Sequence, residues 1–306
     1  MKSGEKDTIK TEAVEECYEN ALEIQGLTKK YDGFTLENVS FSVPRGTIMG
    51  FVGQNGAGKT TTIKAILNII KADGGTIKIL GKDHIAHEYE IKEQIAAVFD
   101  EIPFQDCFNA IQLNRLFEGL YVNWSRETFF DYLDRFNLPR KKKIKALSKG
   151  MKMKLQIATA LSHGAKLLIM DEATTGLDPI VRSEILDIFR DYLKDETNSI
   201  LMSSHITSDL EKIADAVTFI DKGKVYLSGY KDELLENHGL LKCSRKDFQS
   251  IAREDYISAR VGDYGVEVMV ADKAGVHAKY PSLICEKTTL EEIMLYYVNR
   301  EKGEWS

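Results

Sequence analysis

The chain has 306 residues, 43% of them hydrophobic, which is enough to bury one large core or a main domain with a smaller one beside it. Its formal net charge of −6 argues against a surface that wraps nucleic acid, so nucleic acid is not an expected partner. No apolar run approaches the ~20 residues of a membrane-spanning helix, and no signal peptide is recognisable. The four scattered cysteines favour reduced thiols, as in the cytoplasm.

The chain opens with a charged segment and continues into strands. Residues 1–20 are nearly free of large apolar side chains, so they cannot offset the entropy lost on ordering, and we predict a flexible arm. From Ala21, alternating apolar positions in ALEIQGL and FTLENVSFSV predict antiparallel strands. Tyr31 lies in the turn between them, where it is either ordinary surface packing or an aromatic ring that stacks on a purine base.

A glycine-rich loop follows these strands. Residues 53–60 read GQNGAGKT and match G-x-x-x-x-G-K-[ST], between an apolar run of strand length and a segment with helical spacing. In such a loop the backbone N–H groups and the helix start surround phosphate oxygens, the lysine reaches the β- and γ-phosphates, and the threonine binds Mg²⁺. The sequence therefore predicts a nucleoside triphosphate site formed by Gly53, Gln54, Asn55, Gly56, Ala57, Gly58, Lys59, Thr60 and Thr61.

A helical layer rich in aromatic residues is predicted from Asp100 to Leu147. Most of its rings must form the core of so small a layer, although together they could leave a groove for a partner helix. Ser148 then precedes a segment with helical spacing, Met151 to Leu161, so we predict that Ser148 is the N-cap of a helix whose start faces an anion.

Two strands with polar residues at their ends come next. The apolar run ending at Met170 is followed by Asp171 and Glu172, which in a phosphate-loop protein suit a Mg²⁺ ligand and a group that polarises the attacking water. A second buried run, SILM, is followed by His205. Because both strands leave the sheet in the same sense, we expect these three side chains to converge at one edge of a parallel sheet.

After Asp221 the pattern changes to a hairpin and then to short strands and helices. We predict a small α/β appendage that serves packing or stabilises a dimer. The predicted organisation is an arm over residues 1–20, a main domain over 21–221 with its helical subdomain at about 101–164, and an accessory domain over 222–306.

Several segments resemble, in order, the Walker A, signature, Walker B, D-loop and H-loop motifs of ABC ATPases: Gly53–Thr60, Leu147–Met151, Leu167–Glu172, Gly176–Asp178 and His205. The resemblance covers about residues 21–230. It implies an α/β fold, with a P-loop NTPase sheet core, an antiparallel β edge and a helical subdomain. It also implies a head-to-tail dimer in which ATP lies between the phosphate loop of one subunit and the signature of the other.

The resemblance also implies a role for each matching residue. Lys59 and Thr60 bind phosphate and Mg²⁺, Asp171 holds Mg²⁺, Glu172 is the general base and His205 contacts the γ-phosphate. Further residues are implied to bind nucleotide: Tyr31 at the adenine, Ser148, Lys149 and Gly150 at the opposite site, and Asp178 at the dimer seam.

Some positions depart from the usual form of the family. Lys149 and Met151 stand where glycine and glutamine are usual, and Asp100 stands at the glutamine of the Q-loop, where we predict that it binds Mg²⁺. These departures and the C-terminal appendage are similar to subunits of Gram-positive exporters for peptides and drugs. We therefore expect an ATPase that drives separate polytopic membrane subunits from the cytoplasmic face of the membrane. The alternative is a soluble ABC ATPase that acts on DNA or ribosomes.

Overall fold

The computed structural model describes residues 18–305. Residues 1–17 of the predicted flexible arm lie outside the described part of the chain. Its last residues belong to the fold, since Asn20 begins the first strand and Tyr18 packs against an apolar cluster beneath the Arg45 guanidinium, 5.0 Å from the ring centre.

The strands within this part of the chain are β1 (Asn20–Tyr31), β2 (Phe34–Pro44), β3 (Ile48–Val52), β4 (Gly74–Ile79), β5 (Lys82–Asp83), β6 (Ile95–Phe99), β7 (Leu167–Asp171), β8 (Ser199–Ser204), β9 (Ala216–Asp221), β10 (Lys224–Tyr230), β11 (Gly239–Cys243), β12 (Ser258–Val261), β13 (Val266–Val270), β14 (Ile284–Glu286) and β15 (Glu304–Trp305). The helices are α1 (Lys59–Ile66), α2 (Glu88–Lys92), α3 (Ala110–Glu118), α4 (Arg126–Arg135), α5 (Lys149–Leu161), α6 (Pro179–Tyr192), α7 (Thr207–Ile213), α8 (Lys231–Asn237), α9 (Arg245–Phe248), α10 (Lys273–Lys279) and α11 (Leu290–Val298).

The strands form three sheets. The central sheet has six strands in the order β10-β9-β3-β8-β7-β6, parallel except for β10. A four-stranded antiparallel sheet, β2-β1-β4-β5, confirms the strands predicted ahead of the phosphate loop. The third sheet, β14-β11-β13-β12-β15, belongs to the C-terminal part of the chain.

The central sheet is covered on both faces because β3 alternates its side chains between two cores. Met49 and Phe51 pack into the cluster that contains α1 and the antiparallel sheet, where the Phe51 ring stacks on Phe41 at 5.0 Å. Ile48 and Val52 pack on the other face, into the cluster that holds α5, α6 and α7. This layering presents the C-terminal ends of the parallel strands at one edge, where the loops carry the predicted site.

Most aromatic residues of the helical layer pack in the core or against it, as predicted. The Phe129 ring is fully buried and Phe136 nearly so, while Phe104, Phe117 and Trp124 are partly buried against the same cluster. The exposed apolar side chains of α3 and of the turn that follows it are aliphatic: Leu116, Leu120 and Val122.

The C-terminal part of the chain is joined to the central sheet through α11. Tyr296 and Ile293 of α11 pack in one cluster with Phe219 of β9 and Met269 of β13. The strand β10 lies in the central sheet through its pairing with β9, whereas the predicted domain boundary after residue 221 separates the two strands. Strand pairing therefore favours a division between β10 and β11, and the predicted domain limits stay predictions.

No helix within residues 18–305 is both long enough and apolar enough to cross a membrane.

Two buried histidines give the folded chain a dependence on pH. His163 Nε2 lies 3.0 Å from the Ile95 carbonyl oxygen, and His238 Nε2 lies 3.1 Å from the Tyr297 hydroxyl. Burial lowers the pKa of both imidazoles below the ordinary 6.5. Below that pH the unfolded chain takes up more protons than the folded chain, so the free energy of unfolding falls as acid is added.

We therefore expect a lower melting temperature at pH 5.5 than at pH 7.5, with each histidine contributing at most ~1.4 kcal/mol per pH unit. In His238→Phe the loss of stability between these two pH values should be smaller. His277→Phe, at an exposed position, controls for the exchange of an imidazole for a phenyl ring. An identical loss in the natural chain and in His238→Phe would contradict the assignment.

Candidate functional site

The phosphate loop is built as its sequence predicts, between β3 and α1. Gly56 and Gly58 have φ of +81° and +115°, which favour glycine. A Cβ at Gly58 would also lie 2.6 Å from Leu36 Cδ2, so a larger residue would displace the buried Leu36 side chain. Lys59 is 5% exposed, and its Nζ donates to the carbonyl oxygens of Gly53 at 2.7 Å and Gln54 at 3.1 Å. The ammonium is thus held within the concave side of the loop.

The turn between β9 and β10 supports the phosphate loop. No sequence motif predicted this support. The Gly223 N–H donates to the Ala57 carbonyl at 2.9 Å, and its carbonyl accepts from the Glu37 N–H at 2.9 Å. A Cβ at Gly53 would lie 2.3 Å from the Ile220 carbonyl oxygen. The available signal was Gly223 itself, since a glycine that ends a hairpin turn often permits a close backbone approach.

The three polar residues predicted at one edge of the sheet do meet there. Glu172 Oε1 lies 3.1 Å from Lys59 Nζ, and Glu172 Oε2 lies 2.6 Å from His205 Nδ1. The neighbouring strands β7 and β8 are parallel and in register, which brings the two loops together. The predicted convergence is confirmed, and it includes the lysine of the phosphate loop.

Glu172 is held in a set position and in its ionised form. Its φ of +53° is unusual for a residue other than glycine and aims the side chain away from the strand direction. The Thr175 hydroxyl donates to Oε2 at 2.8 Å. Burial opposes ionisation, but Thr175, Lys59 and His205 together outweigh it, so the pKa of Glu172 lies below its ordinary value. A carboxylate in this form can accept a proton.

Ser203 bonds both the carboxylate of Asp171 and the backbone of Glu172, and no sequence motif predicted it. Its hydroxyl donates to Asp171 Oδ1 at 2.7 Å and accepts the Glu172 N–H at 3.1 Å. Asp171 is buried, so this bond fixes one of its oxygens and leaves the other available. Only the pairing of β7 with β8 brings Ser203 to Asp171, and no local motif marks it.

The remaining predicted residues near the phosphate loop are Thr60, Thr61 and Tyr31. Thr60 is exposed at the start of α1, next to Lys59, and Thr61 is partly buried. Tyr31 is 46% exposed and pairs across β1 and β2 with Phe34. The Phe34 ring in turn lies 3.1 Å from the position that a Cβ at Gly58 would take, so Tyr31 stands at the same edge as the loop.

The signature residues form a second group with the D-loop. Ser148 caps α5 as predicted, since its hydroxyl accepts the Met151 N–H at 3.3 Å. Asp178 caps α6 by accepting the N–H groups of Ile180 and Val181. The segments Ser148–Met151 and Gly176–Asp178, with Lys154 and Val181, line a pocket of about 320 Å³.

The structure does not bring these two groups together within one chain, since the signature pocket includes no residue of the phosphate loop.

The Asp100 side chain contacts a residue that the sequence did not predict as its partner. Its Oδ1 lies 2.6 Å from Lys149 Nζ, so the carboxylate proposed for Mg²⁺ is here in an ion pair with the signature segment. Among the described residues, no three His, Cys, Asp or Glu side chains cluster as a metal site.

Comparison with known proteins decides the family. A family model described as ABC transporter matches residues 36–175. Over 252 residues the chain is 32% identical to the daunorubicin/doxorubicin resistance ATP-binding protein DrrA of Streptomyces peucetius, across 79% of this chain and 76% of the relative. The chain belongs to the ABC transporter family. It is an ATP-binding subunit of this family and an ATPase.

Other relatives agree with this assignment. This ABC ATPase is 36% identical over 203 residues to the bacitracin transport ATP-binding protein BcrA of Bacillus licheniformis, across 65% of this chain and 66% of the relative. It is 34% identical over 209 residues to the lantibiotic transport ATP-binding protein SrtF of Streptococcus pyogenes, across 67% of this chain and 89% of the relative. The predicted family and ATPase activity are therefore confirmed.

Solved structures confirm the P-loop NTPase fold. The ATP-binding subunit of an ABC transporter superimposes with a TM-score of 0.65 at 28% identity, covering 71% of this chain and 92% of that chain. CbiO1 of Clostridium perfringens, part of the ABC transporter complex cbiONQ, superimposes with a TM-score of 0.60 at 26% identity. The superposition covers 70% of this chain and 89% of that chain. The roles of the individual site residues stay predictions that the geometry supports.

Proposed function

We propose that ATP hydrolysis at the edge formed by the phosphate loop, Glu172 and His205 powers export through separate membrane subunits. One observation carries the catalytic part of the proposal. An ionised carboxylate, Glu172, lies within 3.1 Å of the lysine of the phosphate loop and 2.6 Å of a histidine, at the C-terminal ends of parallel strands. A phosphate-binding lysine and an ionised carboxylate that can accept a proton from water are two of the groups that catalyse phosphoryl transfer to water.

The residues present fit ATP and Mg²⁺. The N–H groups at the start of α1 and the glycines of the loop can surround phosphate oxygens, and Lys59 lies inside that curve. Thr60 and Asp171 would hold Mg²⁺, which takes a few protein oxygens together with phosphate oxygens. When bound, the ion neutralises charge on the phosphates. Tyr31, exposed at the same edge, would stack on the adenine.

Glu172 acts as the general base in this proposal. Its carboxylate accepts a proton from the attacking water, and Thr175 and His205 hold it in position. Lys59 exchanges the loop carbonyls and Glu172 for phosphate oxygens, which removes a cation from Glu172 and makes the carboxylate a stronger base. His205 then also faces the terminal phosphate.

The signature group implies a second nucleotide-binding subunit. Ser148, Lys149, Gly150 and Asp178 lie around an open pocket away from the phosphate loop of their own chain. In a head-to-tail dimer this pocket would meet the nucleotide of the partner, whose phosphates suit the start of α5. The partner is a second copy of this chain or a related subunit, and ATP closes the dimer.

A membrane subunit docks, we expect, on exposed apolar residues of the helical layer. Leu120 and Val122 are 59% and 81% exposed, and Tyr89 on α2 is 74% exposed. The Val122 N–H donates to the Glu93 carboxylate at 3.1 Å, which joins the end of the α3 turn to the end of α2. We call Tyr89, Leu120 and Val122 the docking strip, and we expect them to hold the chain at the cytoplasmic face of the membrane.

Cysteine crosslinking in cells tests this surface. Leu120→Cys and Val122→Cys should each capture a polytopic membrane protein, because exposed apolar side chains of this kind are buried on docking. Tyr264→Cys, on the exposed β12–β13 turn of the accessory part, is the matched control and should not. Capture from the control position but not from the docking strip would contradict the assignment.

The cargo is, we expect, an amphipathic drug or peptide. DrrA is named for daunorubicin/doxorubicin resistance, and BcrA and SrtF for bacitracin and lantibiotic transport. Cells that depend on this subunit should lose resistance to one of these compound classes when Glu172→Gln replaces the natural residue. Unchanged resistance to all of them would contradict this cargo class. The names of these relatives give no support to the alternative of a soluble ATPase that acts on DNA or ribosomes.

A further inference from the structure

Two residues that depart from the usual family motifs contact each other. Asp100 follows the end of β6 and Lys149 is the first residue of α5, and their ion pair measures 2.6 Å from Oδ1 to Nζ. The side chains are 41% and 47% exposed, so each keeps part of its hydration. Asp100 and Lys149 are 49 residues apart in the sequence and meet only through the fold.

The charge of Lys149 requires a partner where it stands. The start of a helix carries a partial positive charge, so an ammonium group there is unfavourable unless an anion compensates it. Asp100 supplies that anion. Two turns further along α5, the Gln156 side chain donates to the Phe99 carbonyl at 3.0 Å and accepts the Phe99 N–H at 3.3 Å. The helix α5 is therefore attached to the end of β6 at two points.

Lys149 also reaches the turn that supports the proposed base. Its Nζ lies 3.2 Å from the position that a Cβ at Gly176 would take. The preceding residue, Thr175, donates its hydroxyl to Glu172. Lys149 and Gly176 line the same pocket, so the Asp100–Lys149 pair lies beside the turn whose Thr175 hydroxyl holds Glu172.

We infer that Asp100 and Lys149 form a positioning pair that fixes the start of α5, the end of β6 and the 175–176 turn relative to one another. The inference rests on the proposed function in one respect, that Glu172 is the base and Ser148 and Gly150 face a nucleotide. Aspartate and lysine at these two positions are a matched set, and each requires the other. Asp100 then acts through Lys149 and not as a ligand of Mg²⁺.

Charge reversal tests the pair. Asp100→Lys places two ammonium groups together, and Lys149→Asp places two carboxylates together, whereas the double reversal restores an ion pair and puts an anion at the helix start. Each single reversal should lower kcat about fivefold, the upper end of the range for an exposed ion pair. ATP affinity measured by calorimetry should stay within about twofold, because the phosphate loop is unchanged. The double reversal should have a higher kcat than either single reversal, because it restores the ion pair. It need not reach the natural rate, because Lys149→Asp also removes a cation from the pocket proposed for the partner's phosphates.

A second pair with almost the same exposure provides the control. Arg135 of α4 and Asp191 of α6 are 48% and 40% exposed, and they too join elements that are distant in the sequence. Their single reversals should leave kcat within about twofold. If a single reversal at Asp100 or Lys149 fails to fold, Asp100→Asn and Lys149→Gln replace it, and the double variant should again lose less than the product of the two single effects.

Rescue by the double reversal supports the pair. A double reversal as inactive as Asp100→Lys, together with a raised Mg²⁺ requirement in Asp100→Asn, would overturn it in favour of a metal ligand. Amide hydrogen exchange over residues 148–152 of the isolated chain is independent of ATPase activity. Faster exchange in the single reversals and its recovery in the double supports the pair even if the proposed catalytic cycle is wrong. Exchange unchanged in all three overturns the pair.

Discussion

Glu172→Gln is expected to bind ATP and to lose at least about 100-fold in the rate of ATP hydrolysis, because an amide cannot accept the proton of the attacking water. Its side chain has the same size as glutamate, so it can still accept from Thr175. The positive φ at this position is unaffected by the change. We therefore expect ATP to accumulate unhydrolysed and to hold the dimer closed.

Steady-state ATPase assays measure the loss, and size-exclusion chromatography with and without Mg-ATP measures the dimer. Glu127→Gln is the matched control, since Glu127 is an exposed residue of α4 remote from the site, and it should retain full activity. ATPase activity of Glu172→Gln within tenfold of the natural rate would contradict the role of general base. A monomer at every ATP concentration would count against the closed dimer.

The second large effect is expected for Lys59→Ala, which should weaken ATP binding about 10- to 100-fold, the range for charge-assisted hydrogen bonds to phosphate. The ammonium is the only cation that the described contacts place beside both the phosphate loop and Glu172. Removing it leaves no positive charge there to meet the phosphates. It also leaves Glu172 without its ion pair, so the pKa of the carboxyl should rise toward its ordinary value.

Calorimetry gives the affinity, and thermal melting separates it from a loss of stability. Lys64→Ala is the control, since Lys64 lies on the same helix with an exposed side chain. An ATP affinity in Lys59→Ala equal to that in Lys64→Ala would sink the assignment. A lower melting temperature with unchanged ATP affinity would mean that Lys59 stabilises the folded loop and does not bind the nucleotide.

The parts of the site that the sequence predicted are those set by local chemistry. Gly56 and Gly58 permit the backbone of the phosphate loop, and Ser148 caps the helix that directly follows it. The alternation of apolar residues was enough to predict the antiparallel strands before the loop. Each of these predictions depends on residues within a few positions of one another.

In the helical layer, amino-acid composition predicted a core but not the burial of each side chain. Its aromatic density correctly indicated a core, with Phe129 fully buried. Aromatic density also suggested a partner surface on this layer, and the most exposed apolar side chains of the layer are the aliphatic Leu120 and Val122. Burial of a given ring depends on which helix packs over it, and composition carries no information about that.

For this protein, the sequence by itself determined the phosphate loop, the order of the motifs and the family, because each is a run of residues whose chemistry acts over a few bonds. Only the tertiary structure decided that Ser203 joins Asp171 to Glu172, that Gly223 supports Ala57, and that Asp100 pairs with Lys149. These contacts join residues on different strands and helices. Their partners are chosen by sheet register and helix packing, which depend on the whole chain and not on any one segment.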